Sequence, residues 1–102
     1  RSAVVFHGFS LDLERHRLAD PEGREISLTG GEFHLLSALA QAGGRVLSRA
    51  QLIDAVSSAD DALTERSVDV LISRLRRKIE PDPQDPRLVL TVPRYGYRLA
   101  MD

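Results

Sequence analysis

The chain has 102 residues, a formal net charge of −1 and a hydrophobic fraction of 42%. This length allows one small domain with a single modest core, but not two such domains. The absence of cysteine excludes a disulfide framework and a thiolate metal site. No apolar run is long enough to cross a bilayer, and no signal peptide opens the sequence. We therefore expect a soluble, cytoplasmic protein and, because the sequence opens without Met, a fragment of a longer polypeptide.

The near-neutral total conceals an uneven distribution of charge along the chain. Residues 1–65 carry six arginines against ten acidic side chains, a net of −4. Residues 66–102 carry eight basic side chains against five acidic ones, a net of +3. A local positive region of this kind indicates an anionic partner, whereas a nearly neutral chain does not bind polyanions by bulk charge alone.

Residues 4–28 show the alternation of apolar and polar side chains that is typical of strands. In one run, Phe9, Leu11 and Leu13 lie on one side and polar residues lie on the other. Four such runs predict a small antiparallel sheet of about four strands. The sequence DPEG at residues 20–23 predicts a hairpin turn between the third and fourth strands, because Pro fixes φ and Gly is conformationally free.

Two helices are predicted between the sheet and residue 56. The first begins at Thr29 with Glu32 three residues later, which is a capping box, and Gly43-Gly44 ends it. The second begins at Ser48 with Gln51 in the same relation. Apolar side chains recur at helical spacing in both segments and predict two core-facing stripes. The stripes consist of Phe33, Leu35, Leu36, Leu39 and Ala40 in the first helix, and of Leu52, Ile53 and Val56 in the second.

A third helix is predicted from about residue 65 to residue 79, after a polar loop at 57–64. At 100° per residue its apolar side chains fall within an arc of roughly 100°, which predicts a core-facing stripe. Between residues 66 and 79, Asp69 is the only acid. A merely solvated helix would pair acids with bases at i and i+4, so the unbalanced face indicates anion binding. The stripe is Val68, Leu71, Ile72, Leu75 and Ile79; the opposite face is Arg66, Val70, Ser73 and Arg77, flanked by Asp69 and Arg74.

Two further strands are predicted after the helix-breaking sequence PDPQDP at residues 81–86. LVLTV and YRLA, joined by PRYG, predict a β-hairpin at about 88–100 that carries Arg94. A two-helix unit with a basic second helix, followed by such a hairpin, is the winged variant of helix-turn-helix geometry, in which the second helix enters the major groove. We assign Tyr97 to the core and leave Tyr95 open between packing on the sheet and stacking on a base.

The sequence resembles the effector domains of OmpR/PhoB-type bacterial response regulators over nearly its whole length. Four segments carry the resemblance in the family's order and spacing: LTGGEFHLL at 28–36, LSRAQLIDAV at 47–56, RSVDVLISRLRRKIE at 66–80 and TVPRYGYRL at 91–99. The resemblance implies an α+β winged helix-turn-helix fold with an N-terminal four-stranded antiparallel sheet, three helices and a C-terminal β-hairpin wing. It also implies a single DNA-binding domain over 1–102 in a two-component phosphorelay, with an upstream receiver domain that a sensor kinase phosphorylates on aspartate.

The resemblance further implies where DNA would touch the chain. The helix at about 65–79 would enter the major groove, and the hairpin at about 88–100 would lie near the minor groove, with Thr91 close to a phosphate. The helical wheel and the family pattern differ on Arg76, which the wheel places nearer the buried edge. The helix positions that the family directs toward DNA are Arg66, Ser67, Asp69, Ser73, Arg74 and Arg76.

Roles within this face follow from the chemistry of the side chains. Arg74 suits a guanine edge and Val70 suits a thymine methyl group. We expect Arg66, Arg77 and Lys78, with Thr91, to neutralise phosphates and fix the register on DNA. Cations in the last helical turn also complement the helix dipole, so not every charge requires a ligand.

The wing departs from the family pattern, since members often carry an Arg-Gly pair where this chain has Pro93-Arg94. Two interpretations follow from this change. Either the arginine contact with the minor groove has moved by one residue to Arg94, or Arg94 is a solvated side chain that adds only weak phosphate attraction.

The expected partner is double-stranded DNA, bound by two copies on adjacent half-sites such as direct repeats, with a homodimer in the full-length protein. The family's loop contact with RNA polymerase would lie at 57–64. A Trp often found in the family near position 57 is replaced here by Ser57.

Other function classes have less support in the sequence. Winged helices also serve as protein-protein interaction modules, and this is the alternative to DNA binding. We predict no enzymatic activity and no cofactor or metal, because no catalytic constellation is present and His7, His16 and His34 lack ligand spacing. Binding of the third helix to an anionic membrane would require Leu71 and Leu75 to lie in the core and in the bilayer at the same time.

Overall fold

The computed structural model describes residues 2–57 and 64–101, so most of the predicted loop at 57–64 lies outside the described residues. A sheet is followed by three helices and a hairpin, which confirms the predicted α+β arrangement. No helix in these two ranges is long and apolar enough to cross a membrane. The elements are β1 (Ala3–Phe6), β2 (Phe9–Asp12), β3 (Arg17–Ala19), β4 (Glu25–Ile26), α1 (Gly30–Gln41), α2 (Arg49–Val56), α3 (Glu65–Ile79), β5 (Val89–Val92) and β6 (Gly96–Leu99).

The N-terminal sheet is antiparallel throughout, in the order β1-β2-β3-β4. Its register places Val4, Leu11, Leu18 and Ile26 side by side across the strands. Leu11 and Leu18 are fully buried. Because residues directly opposite share a face, this row forms one apolar surface that packs on the helices. The predicted turn between β3 and β4 is confirmed: the Asp20 carboxylate accepts hydrogen bonds from the backbone at 22 and 24.

The helices begin where the sequence predicts. Thr29 and Ser48 each accept a hydrogen bond from the backbone N–H three residues later, and both capping boxes are complete. A third capping box, not predicted from the sequence, joins Thr64 and Ser67 at the start of α3. Its signal was a threonine followed three residues later by a serine, a weaker pattern than one ending in Glu or Gln.

A single core joins the sheet, the three helices and the hairpin. The predicted stripe of α3 is confirmed, with four of its side chains buried and Leu71 packed at the edge of the core. Burial of each large aliphatic side chain contributes about 1.5–3 kcal/mol, so this stripe fixes the rotation of α3 about its axis. The opposite face of α3 therefore points outward. The buried members of the stripe are Val68, Ile72, Leu75 and Ile79.

The hairpin is attached to the segment that precedes α2. Strand β6 pairs with β5 on one edge and with Leu47 on the other, where Leu47 and Tyr97 exchange two backbone hydrogen bonds of 2.8 and 3.0 Å. Gly96 makes this approach possible: a Cβ there would lie 2.0 Å from the carbonyl oxygen of Leu47. The wing is thus held against the same chain segment that starts α2.

A buried carboxylate fixes the start of β5. Glu80 follows α3 directly, is 6% exposed and accepts backbone N–H groups from Arg87, Leu88 and Val89 at 2.7–3.1 Å. These amides lie where the loop after α3 enters β5 of the hairpin. Glu80 therefore sets the position of the hairpin relative to the end of α3.

Two of the three histidines lie closer together than the sequence suggested. The β2–β3 turn brings His16 onto Phe33 of α1, with ring centroids 4.2 Å apart and planes at 16°. The ring of His34 is 5.6 Å from that of His16, edge to face. The spacing along the chain does not show this contact, because it depends on how the β2–β3 turn folds over α1.

We predict that Glu80→Ala lowers the free energy of unfolding by about 2–4 kcal/mol, because several buried amide donors lose their acceptor. Asp85→Ala is the control in the same loop: it removes only an exposed ion pair with Arg87 and should cost less than about 1 kcal/mol. Urea denaturation monitored by circular dichroism measures both. Equal losses for the two variants would contradict the positioning role of Glu80.

Candidate nucleic-acid interface

The outward face of α3 forms the centre of the candidate interface. The apolar side chain of Val70 is 41% exposed in the middle of this face. In the described part of the chain, Arg74 has no hydrogen-bond or ion-pair partner, whereas Arg77 donates to the Ser73 hydroxyl at 3.3 Å. The face therefore presents cations that are not neutralised by neighbouring acids. Its exposed residues are Arg66, Val70, Ser73, Arg74 and Arg77.

The carboxylate of Asp69 joins three elements of the interface. Its Oδ1 accepts a hydrogen bond of 2.6 Å from the Tyr97 hydroxyl of β6 and one of 2.8 Å from Arg49 Nε of α2. Burial is the largest influence on the pKa of Asp69 and raises it, but the bonds from Tyr97 and Arg49 outweigh it and hold the pKa below 3.8. Asp69 is therefore a charged junction between the helices and the wing, a role that its predicted direction toward DNA does not include.

Arg76 also acts inside the domain. Its guanidinium donates from Nε and Nη2 to the carbonyl of Val89, at 3.0 and 2.8 Å, and from Nη2 to the Thr91 hydroxyl at 2.8 Å. The family pattern directed Arg76 toward DNA, whereas the structure places it between α3 and the hairpin. This position agrees with the helical wheel, which placed Arg76 nearer the buried edge of α3 than the outward face.

The ring of Tyr97 lies beside two guanidinium groups. The Cζ atoms of Arg49 and Arg76 are 5.4 and 5.7 Å from its centroid, within the range of cation–π attraction. Tyr97 is 5% exposed, which confirms its predicted place in the core. Burial is the main cause of the raised pKa of its hydroxyl, which therefore donates to Asp69 as a neutral group at ordinary pH. No spacing in the sequence identified Arg49, because its partners lie on α3 and β6.

Lys78 points away from the outward face of α3. Its ammonium group contacts the Ser27 carbonyl at 2.9 Å and the Glu32 carboxylate at 2.5 Å. Glu32 is 2% exposed, so the ion pair supplies the counter-charge that a buried carboxylate requires. The structure thus ties Lys78 to the start of α1, and its phosphate contact stays a prediction.

A polar groove adjoins the exposed face. It has a volume of about 320 Å³ and runs between α3, the loop that follows it and the hairpin. The exposed hydroxyl of Ser73 and the guanidinium of Arg77 stand at its wall. Its lining residues are Asp69, Ile72, Ser73, Arg76, Arg77, Pro83, Gln84 and Tyr97.

The wing turn forms the second exposed part of the candidate interface. Pro93, Arg94 and Tyr95 are all exposed at the tip of the hairpin. Tyr95 is 71% exposed, so of the two alternatives for its ring, packing on the sheet is wrong. Its backbone N–H donates to the Val92 carbonyl at 3.0 Å and closes the turn.

The predicted site residues therefore divide into two groups. One group is exposed on α3 and at the wing tip, where an external ligand can reach it. The other group connects α3 to the rest of the domain and fixes the direction in which the first group points. The first group includes Arg66, Val70, Ser73, Arg74, Arg77 and Arg94; the second includes Ser67 in its capping box, Asp69, Arg76, Lys78 and Thr91.

Comparison with known proteins agrees with this architecture. The family model described as "Transcriptional regulatory protein, C terminal" matches residues 23–99. The chain is 45% identical over 92 residues to the transcriptional regulatory protein AruR of Pseudomonas aeruginosa, and 45% identical over 102 residues to the regulatory protein VirG of Agrobacterium fabrum. These alignments cover 90% and 100% of this chain but 38% and 40% of the two relatives. The chain thus spans about two fifths of the length of these curated relatives.

Solved structures show the same fold. The DNA-binding domain of RstA from Klebsiella pneumoniae, crystallised in complex with the RstA box, superposes with a TM-score of 0.84 at 28% identity over 98% of both chains. The Thermotoga maritima response regulator DrrB, an OmpR/PhoB homologue, gives a TM-score of 0.86 at 30% identity over 97% of this chain and 44% of its own. The fold is the winged helix of OmpR/PhoB-type regulators. The chain belongs to the family of transcriptional regulatory protein C-terminal domains.

We predict that the domain loses stability as the pH falls below about 4.5, because the folded-state pKa of Glu32 is lower than the ordinary value of 4.5. Burial is the largest influence and raises this pKa, but Lys78 and the Thr29 backbone donor together outweigh it. The stabilisation is present above the unfolded-state pKa and is lost as the pH falls through the folded-state pKa.

Urea denaturation between about pH 3 and pH 6 tests this dependence. Glu32→Gln should flatten the slope of unfolding free energy against pH, whatever its effect on stability at neutral pH. Glu14→Gln, which changes an exposed glutamate in the β2–β3 turn, should leave the slope unaltered. A Glu32→Gln slope equal to that of the unmodified chain would contradict the prediction.

Proposed function

We propose that this domain binds double-stranded DNA in a sequence-specific manner, as the effector domain of a bacterial two-component response regulator that controls transcription. The observation that carries the proposal is the outward face of α3, which presents Arg66, Arg74 and Arg77, none of them in an ion pair within the described part of the chain. A helix of this kind, supported by a wing, is the arrangement that places side chains in a major groove. The DNA complex described for the similar RstA domain supports the same function here.

The proposed division of roles follows from exposure and chemistry. Arg74 donates two hydrogen bonds to a guanine edge, and Val70 contacts a thymine methyl group. Arg66 and Arg77 neutralise backbone phosphates, and Ser73 adds a hydroxyl donor. The junction at Asp69 contributes by holding α3 and the hairpin in one fixed relation, so both parts meet the duplex without rearrangement.

The proposal extends to the protein from which this domain comes. An upstream receiver domain, phosphorylated on aspartate by a sensor kinase, would arrange two copies as a homodimer on paired or directly repeated half-sites in the bacterial cytoplasm. Two copies are needed because a single small domain buries a limited surface on DNA. The segment at 57–64 is the proposed contact for RNA polymerase. We assign the domain no catalytic role.

A protein-protein interaction module is the alternative function. The salt dependence of the affinity for DNA distinguishes the two functions. If α3 and the wing neutralise several phosphates, log affinity for duplex DNA should fall linearly with log salt, with a slope of roughly −0.9 per contact. Fluorescence anisotropy with a labelled duplex, selected by the domain from a randomised library, measures this slope. Failure of the selection, or a slope near zero, would favour the interaction module.

We predict different effects for two neighbouring arginines on α3. Arg74→Ala should weaken binding to the selected duplex by ~1–3 kcal/mol and change binding to a scrambled duplex much less, because it removes base recognition. Arg77→Ala should weaken both by similar amounts, because phosphates occur in every sequence. Competition titrations with selected and scrambled duplexes measure both effects. Indistinguishable profiles would show that the assigned roles are wrong.

A further inference from the structure

The polar groove beside α3 has one wall that belongs neither to the helix nor to the hairpin. Tyr97 lines the groove from the hairpin, and Pro83 and Gln84 line it from the loop that follows α3. The helix contributes a single stripe at the spacing i, i+3, i+4, i+7 and i+8, because such positions share one face of a helix. The stripe consists of Asp69, Ile72, Ser73, Arg76 and Arg77.

The loop that carries Gln84 is held in place by its own residues. The Asp82 carboxylate accepts the backbone N–H of Gln84 at 3.0 Å, and the Asp82 carbonyl accepts that of Asp85 at 2.9 Å. The sequence PDPQDP at 81–86 also has proline at every other position or nearly so, and each proline fixes φ. Glu80 anchors the end of the loop through the amides that precede β5. A ligand in the groove therefore meets a loop that is already ordered, which lowers the entropic cost of binding.

The side chain of Gln84 has no role inside the domain. Within residues 2–57 and 64–101 it is exposed and makes no hydrogen bond, since only its backbone N–H is used in the loop. The groove also has the guanidinium groups of Arg76 and Arg77 in its lining, against the one carboxylate of Asp69, which is paired with Arg49. The lining is therefore positive and suits an anion, to which the carboxamide of Gln84 adds neutral N–H donors.

We propose that the loop between α3 and β5 is a third contact with DNA, in which Gln84 and Arg77 together bind one backbone phosphate at the groove. This inference rests on the proposed function and adds to it an element outside α3 and the hairpin. Arg77 uses only one of its N–H donors on the Ser73 hydroxyl, so others are available to a phosphate oxygen. Phosphates occur at every backbone position, so Gln84 fixes the register on DNA and does not select bases.

Two substitutions at position 84 test the contact by fluorescence anisotropy with the selected duplex. Gln84→Ala removes the neutral donors and should lower the affinity about fivefold. Gln84→Glu places a carboxylate beside Arg77 and should lower it about thirtyfold, because like charges then face each other. The slope of log affinity against log salt should become shallower by roughly 0.9 for Gln84→Glu and stay nearly unchanged for Gln84→Ala, in which Arg77 still contacts the phosphate.

Arg87→Gln is the matched control, because it lowers the net charge by one, as Gln84→Glu does, in the same loop but outside the lining of the groove. Its affinity should fall no more than about twofold. A loss for Arg87→Gln as large as that for Gln84→Glu would overturn the inference, because net charge alone would then explain both effects.

Duplexes in which one phosphate at a time is replaced by a neutral methylphosphonate locate the contact. At one position the replacement should weaken binding of the unmodified chain about tenfold and weaken binding of Gln84→Glu no more than about twofold, because that contact is already lost. Arg74→Ala should remain sensitive to the same replacement. If the unmodified chain binds the selected duplex but no phosphate shows this coupling, the inference is wrong and the proposed function stands. If the unmodified chain binds no duplex, the proposed function itself fails.

Free phosphate offers the same oxygen acceptors as the DNA backbone, so the two sources require a separate measurement. The side-chain N–H signals of Gln84 in a ¹H–¹⁵N NMR spectrum should shift when the selected duplex is added. They should not shift in millimolar inorganic phosphate at the same ionic strength. A saturable shift with inorganic phosphate would make the groove a site for a free anion and would overturn the inference.

Discussion

The interface depends on one shared carboxylate oxygen. Asp69 Oδ1 accepts from Tyr97 of the hairpin and from Arg49 of α2, so a single charged atom joins three elements. Both hydrogen bonds to this oxygen form only when the Tyr97 hydroxyl and the Arg49 guanidinium are correctly placed at the same time. The Tyr97 ring, bracketed by the guanidinium groups of Arg49 and Arg76, extends the same junction. The angle between the outward face of α3 and the wing follows from this arrangement.

Two buried acids extend this principle to the end of α3. Glu32 forms an ion pair with Lys78 and so connects the last turn of α3 to the start of α1. Glu80 accepts hydrogen bonds from the backbone amides at the start of β5. Asp69, Glu32 and Glu80 are thus occupied by partners inside the domain, while Arg66, Arg74 and Arg77 of α3 remain exposed. This separation explains how a chain with a net charge of −1 presents a positive surface. The charge that matters is local, because exposed charges beyond about 10 Å are screened in salt.

The family comparison and the geometry of the wing both concern the candidate interface formed by α3 and the hairpin. The family match places the chain among transcriptional regulatory protein C-terminal domains, but at 28–45% identity the similarity to AruR, VirG and RstA leaves individual contacts to the residues present here. At the wing, the chain carries Pro93-Arg94 where the resemblance leads us to expect an Arg-Gly pair. Arg94 occupies a glycine-favouring position at φ +73°, and an interpretation of the wing by family analogy alone would overlook this feature.

The sequence by itself determined the elements and their order, because capping boxes, apolar periodicity and turn residues are local signals with fixed spacing. Thr29 with Glu32, Ser48 with Gln51, and the stripe of α3 all form as predicted. Only the tertiary structure decided which cations of α3 remain outside. Arg76 and Lys78 lie beside Arg77 in the sequence, yet their partners, Val89 and Glu32, lie 13 and 46 residues away. The helical wheel placed Arg76 near the buried edge of α3, but local spacing identifies neither partner, because the partners meet only when the core has fixed the rotation of the helix.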